Sequence, residues 1–101
     1  MTLTPSRILH LTLTRRWFDL IASGEKTEEY REIKPHWIAR LDAREYDEIH
    51  FRNGYGPDAP FMRVACRGIR RARFTFQKKR VFVISLGEVL EVRGVVPGNT
   101  C

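Results

Sequence analysis

The chain has 101 residues, 43% of them hydrophobic and 11% aromatic, with 18 Lys and Arg against 12 Asp and Glu. That length fits one domain spanning residues 1–101 and excludes most multi-domain designs, while the apolar content excludes a disordered chain. No apolar run approaches the ~20 residues that a bilayer-crossing helix needs, and the first residues lack the basic and long apolar regions of a secretory signal, so a soluble, cytoplasmic protein with no membrane partner is expected.

In chain order, Ile8 to Leu13 alternates apolar and polar residues, as a half-buried strand does. From Arg15 to Ser23 the apolar residues Trp17, Phe18, Leu20 and Ile21 follow helical spacing. Thr14 suits the cap before this helix and Gly24 the left-handed residue just past it. Lys26 to Glu32 reads as a polar strand or extended segment. Pro35 opens a second short helix carrying Trp37, Ile38 and Leu41. Both tryptophans fit helical core stripes and are expected in the core.

Tyr46 to Arg52 reads as a strand, with Ile49 and Phe51 on one face and Glu48, His50 and Arg52 on the other. The residues 53–60 are turn formers around one tyrosine, Tyr55. Phe61 to Cys66 reads as a strand and Arg70 to Phe76 as another. Val81 to Leu86 is apolar at both parities, which predicts a strand covered on both sides; Gly87 is expected to break it, with Val89 to Val92 continuing the sheet. Several short strands with two short helices predict an α+β fold, a small twisted barrel whose ends the helices plug.

Two cysteines, Cys66 and Cys101, form no disulfide framework, and Cys66 reads as a buried reduced thiol. His10, His36 and His50 stand apart without ligand-like spacing, so neither a metal nor a cofactor is expected. His50 suits general acid–base work near neutral pH, or a plain strand surface. There is no Walker loop, dinucleotide fingerprint or nucleophile elbow.

The charge is concentrated. Between residues 63 and 80 stand eight positive side chains and no acid, which accounts for the whole net charge of +6. Arg63, Arg67, Arg70, Arg71, Arg73, Lys78, Lys79 and Arg80 would attract a polyanion, and Phe74 and Phe76 among them could stack on bases. The alternative is a solvated edge hairpin whose charges block aggregation. Tyr55 reads as a stacking platform or lid, or as a ring folded onto the barrel. Arg52 either lines a cleft beside Lys26 or pairs with Glu48.

The densest string is Gly24-Glu25-Lys26-Thr27-Glu28-Glu29-Tyr30-Arg31. In a regular strand Thr27, Glu29 and Arg31 share one face, and Lys26, Glu28 and Tyr30 the other. Glu29 would orient Arg31 by a charge-assisted bond, leaving guanidinium donors for a phosphate or base. Lys26 adds a second cation, or acts as a base. A solvated ladder of salt bridges is the plain alternative.

This string fits Gly-x-Lys-Thr-x-Glu-x-Arg and resembles the signature of the ASCH domain, a relative of the RNA-binding PUA fold. The likeness extends to Leu11-Thr12-Leu13, Trp17-Phe18, Phe51-Arg52-Asn53-Gly54-Tyr55 and Val83-Ile84-Ser85-Leu86-Gly87-Glu88, covering about 8–92. The resemblance implies a PUA-like β-barrel of about five to six strands with two short helices, and a cleft beside Gly24–Arg31. It implies RNA, a nucleotide or a nucleoside as partner; the sequence does not reveal the oligomeric state, and a monomer is the expectation. Some branches of the family resemble ribonucleases, and one bacterial branch is an amidohydrolase acting on N4-acetylcytidine. Lys26 matches the catalytic lysine of that branch. Glu29 stands where it has a threonine nucleophile, and no residue after Cys66 matches its acidic partner; Thr27 and Glu88 are the candidate substitutes.

The expectation is therefore an RNA- or nucleotide-binding domain, possessing ribonuclease activity if catalytic, with Lys26 and Glu29 as the catalytic pair. Thr27, Arg31, Arg52 and Tyr55 would hold the nucleotide, and Arg63, Arg70, Arg71, Arg73, Lys78 and Lys79 the backbone. N4-acylcytidine hydrolysis is one alternative. A non-catalytic protein adaptor using the rim around Tyr55 and Phe61 is the other.

Overall fold

The alternation of Leu9, Leu11 and Leu13 with polar residues places those three leucines in the core and builds β1 (Ile8–Leu13). The computed structural model describes residues 7–74 and 79–94. After β1, Thr14 is the extended residue that starts α1 (Arg15–Ala22), although its hydroxyl makes no cap bond. Gly24, with φ of +85°, ends the helix in the left-handed conformation that glycine adopts without steric cost. β2 (Glu28–Glu32) follows, then α2 (Pro35–Leu41), which begins on a proline whose fixed φ suits a first helical position.

β3 (Glu48–Asn53), β4 (Phe61–Phe74) and β5 (Lys79–Arg93) complete the chain. The five strands form one sheet in the order β1-β3-β4-β5-β2, with β1 parallel to β3 and the other pairs antiparallel. A parallel pair needs a long crossover, which α1, β2 and α2 supply. The sheet curls into a half-barrel with two helices, so the expected α+β, barrel-like class holds. Among the described residues no helix is long and apolar enough to cross a membrane.

Phe18 and Ile21 of α1 and Leu41 of α2 close over Leu9, Ile49, Phe51, Met62, Val64, Phe82 and Ile84. Val81 to Ile84 are all buried, as their two-sided apolarity predicted.

Two expected boundaries are corrected. Phe61 to Cys66 and the segment from Arg70 belong to one strand, β4, and Gly87 does not break β5. The ladder continues through register shifts: Cys66 pairs with Leu86 and Gly68 with Ser85, so Arg67 is an extra residue on β4. Such bulges bend a strand without ending it, which a sequence pattern of strand–break–strand does not distinguish from two strands. Past Ala65 no strand pairs with β4 on its β3 side, so most of the basic run lies on a projecting β4–β5 hairpin, as the edge-hairpin alternative expected, while the outermost strands of the sheet, its two edges, are β1 and β2.

Candidate functional site

The candidate cleft lies at the seam where those two edges face each other. Past Gly24 the chain folds back on α1: the Lys26 amide donates to the Leu20 carbonyl at 3.0 Å. β2 starts only at Glu28, so Lys26 does not obey the strand alternation that would separate it from Glu29. Its Nζ instead stands 3.5 Å from Glu29 Oε1, and also 4.6 Å over the Tyr30 ring and 5.3 Å from that of Trp17. The expected placement of Lys26 opposite Glu29 is corrected by this turn.

Glu29 is 7% exposed. Its second oxygen, Oε2, accepts a 2.7 Å bond from Arg31 Nη2, as the spacing predicted. Arg31 also reaches across the seam to the Thr12 carbonyl at 3.5 Å, and its guanidinium lies 4.9 Å over the Trp37 ring. Arg31 Nε is buried without a partner. A buried donor left unmade costs free energy, so a ligand acceptor here would relieve it.

Two adjoining cavities of about 490 and 440 Å³ open on this group and share Trp17, Lys26 and Tyr30 as walls. Both volumes fall in the small-molecule range of about 300–1,000 Å³. The first adds Thr12, Glu29 and Arg31; the second adds Glu25, Thr27 and Glu28. In the 490 Å³ cavity two cations, Lys26 and Arg31, face one carboxylate, Glu29, an arrangement that suits an anion, with Trp17 and Tyr30 as flat surfaces for a base; Glu25 and Glu28 line the other cavity.

Tyr30 is held by its hydroxyl, which donates to Glu28 Oε1 at 2.8 Å, while Glu28 Oε2 accepts from Arg70. The bond from Tyr30 is the main reason the Glu28 carboxyl is held below its usual range, and the same bond raises the Tyr30 phenol. Arg70 therefore ties the basic strand to the cleft wall.

Neither tryptophan is a fully buried core residue. Trp17 is 41% exposed because Phe18 and Ile21 form the buried stripe of α1, and Trp37 is half-buried beneath Arg31. Trp17 and Tyr30 are thus cleft residues that sequence reasoning did not single out; the only available signal was that Trp17 lies one position off the Phe18–Ile21 stripe.

The other expected site residues lie elsewhere. Tyr55 is 90% exposed on its loop and folds onto nothing. Arg52 packs its guanidinium 5.1 Å over Phe61 and is not among the residues lining the cleft. Glu48 pairs not with Arg52 but with Arg63, through bonds of 2.9 and 3.0 Å, and with His50 at 3.0 Å. Arg63 is further bound to Glu91 at 3.1 Å, so it is no free phosphate contact. Arg71 pairs with Asp42 at 3.0 Å. Arg73, Lys79 and Arg80 are exposed at the far end of the β4–β5 hairpin, where Arg73 pairs with Arg80 and Phe74 with Lys79. Phe76, Lys78 and Cys101 lie outside the described residues. Cys66 is half-buried, and burial pushes its thiol pKa up. Glu88 is exposed and does not line the cleft.

No protein-family model, no curated protein and no solved structure matches this chain.

Proposed function

We propose that the protein is an ASCH-type domain of PUA-like fold that binds single-stranded RNA or a nucleotide of it in the cleft between β1 and β2. The observation that carries this reading is the convergence of Lys26, Glu29 and Arg31 on one open cavity walled by Trp17 and Tyr30. A base stacks on an exposed aromatic wall, its phosphate meets Lys26 or the free donors of Arg31, and the hairpin end holds the neighbouring backbone.

Arg67, Arg73, Lys79 and Arg80 are exposed and have no acidic partner among the described residues. With about four such cations on phosphates, log affinity for a single strand falls with log salt at a slope of roughly −3. Binding titrations over a salt series read this slope directly. A flat response, or no binding at low salt, defeats the proposal.

The 3.5 Å approach of Lys26 to Glu29 favours a second reading, a metal-independent hydrolase in which this pair moves a proton. Attack by a ribose 2′-hydroxyl on phosphorus, expelling the 5′-oxygen of the next nucleotide, or by water on the acyl carbon of an N4-acylcytidine, releasing the carboxylic acid and cytidine, needs a base and a nearby cation. Lys26→Ala is then expected to abolish turnover of labelled RNA or N4-acetylcytidine while the chain still folds and still binds RNA through the hairpin end. Lys26→Arg does not rescue it, because a guanidinium does not give up its proton near neutral pH. Turnover that persists in Lys26→Ala removes Lys26 from the chemistry; no turnover in the wild type leaves the binding reading alone.

A further inference from the structure

At the opposite end of β1 from the cleft, three arginines far apart in the chain come together. Arg7 precedes β1, Arg44 lies in the turn between α2 and β3, and Arg67 is the bulged residue of β4. Two contiguous cavities of about 350 and 430 Å³ share Arg7, Arg44, Glu45 and Tyr46 as walls, and Arg67 lines the first.

The acids nearby do not neutralise them. Arg7 meets Glu45 at 3.7 Å and Asp47 at 4.0 Å, both near the limit of an ion pair and both exposed to solvent, where such pairs contribute little. Arg44 and Arg67 have no ion-pair partner among the described residues, in contrast to Arg63, Arg70 and Arg71 of the same basic strand.

The fold also holds Arg67 in place. As the unpaired residue of the bulge it is turned out of the ladder. Its aliphatic stem crosses the face of Gly87, where an added Cβ would meet Arg67 Cγ at 3.0 Å. Gly68, at φ of +137° with open space above its α-carbon, leaves the floor of the groove as bare backbone.

We infer that this groove is a second binding site, for a phosphoryl group, built from Arg7, Arg44 and Arg67. Guanidinium forks match the oxygens of a phosphate in pairs, and three converging forks, of which only that of Arg7 meets carboxylates and those at long distance, favour an anion over any cation or apolar ligand. The phosphoryl group comes either from the phosphodiester chain of a nucleic acid or from the terminal phosphate of a small phosphorylated molecule. The inference does not depend on what the Lys26 cleft binds.

The test follows backbone amide resonances of Tyr46, Gly68 and Ile69 while the full chain is titrated with inorganic phosphate and, separately, with a single-stranded RNA oligonucleotide lacking terminal phosphates. Saturable shifts at these amides with either probe are expected, each weakened about fivefold or more in Arg44→Gln and Arg67→Gln. Lys34→Gln, which removes an equal charge outside the groove, leaves both titrations near wild type. Shifts with phosphate alone assign a small phosphorylated ligand, and shifts with the oligonucleotide alone assign the phosphodiester chain. The absence of saturable shifts with both probes overturns the site, as does equal weakening by Lys34→Gln. RNA binding that survives Arg44→Gln and Arg67→Gln but is lost on changing Arg31 overturns the groove's part in it while sparing the cleft. Phosphate binding in the groove without any RNA binding does the reverse.

Discussion

Arg31→Ala is expected to lower stability by about 2–3 kcal/mol, a fall of roughly 10–20 °C in melting temperature for a domain of this size, while Arg71→Ala changes it by less than about 1 kcal/mol. Both arginines sit in ion pairs, and burial separates them. The Glu29–Arg31 pair has side chains only 10% and 20% exposed, whereas Asp42 and Arg71 are 42% and 44% exposed. Removing Arg31 leaves a buried carboxylate with Lys26 as its single cation, at the longer distance of 3.5 Å, and also releases the contact across the seam to Thr12. Removing Arg71 frees a carboxylate that water solvates. Thermal melts of the two variants decide the matter, and equal shifts contradict this assignment.

The second large effect concerns acid. Hydrogen bonds from Arg63, the largest influence, with that from His50, hold the Glu48 carboxyl at about 2, against an ordinary 4.5. A carboxylate whose folded pKa is depressed contributes stability that is complete above its unfolded pKa and is lost as pH falls through the folded one. The window here runs from about pH 4.5 down to 2. Allowing for the partial exposure of Arg63, the contribution is about 2–3 kcal/mol at neutral pH. Glu48→Gln is therefore expected to melt roughly 10–15 °C lower at pH 7 and to lose less stability than wild type on acidification. His10 adds to the acid sensitivity of both proteins, because burial first, then the charges of His50 and Arg52, lower its pKa. The folded chain resists protonating it, so stability begins to fall below about pH 6.5. Urea unfolding at pH 7, 5 and 3 separates the two contributions; parallel curves for wild type and Glu48→Gln would remove Glu48 from the account.

The two buried glutamates share a design that was half legible in the sequence. Glu29 and Arg31 lie two residues apart on one strand, so their pairing follows from alternation alone. Glu48 has His50 two residues and Arg52 four residues further along its own strand, yet its arginine comes from β4, fifteen residues on. Only the register that sets His50 opposite Arg63 decides that choice, and register depends on how the whole apolar face packs.

By itself the sequence determined the elements whose signals are local: the alternating leucines of β1, the stripe and terminal glycine of α1, the proline that opens α2, and the doubly apolar centre of β5. It also determined that Glu29 and Arg31 would pair, whereas Lys26 joins them only through the turn after Gly24. Tertiary structure alone decided which cations are spent on partners and which are free. The basic stretch reads as uniform, but the sheet sets Glu48, Glu28 and Asp42 against Arg63, Arg70 and Arg71, and turns Arg67 out through a bulge toward Arg7 and Arg44. Coulomb attraction acts over a few ångströms of space, and spacing along the chain does not report distances between strands that pair across fifteen or forty residues.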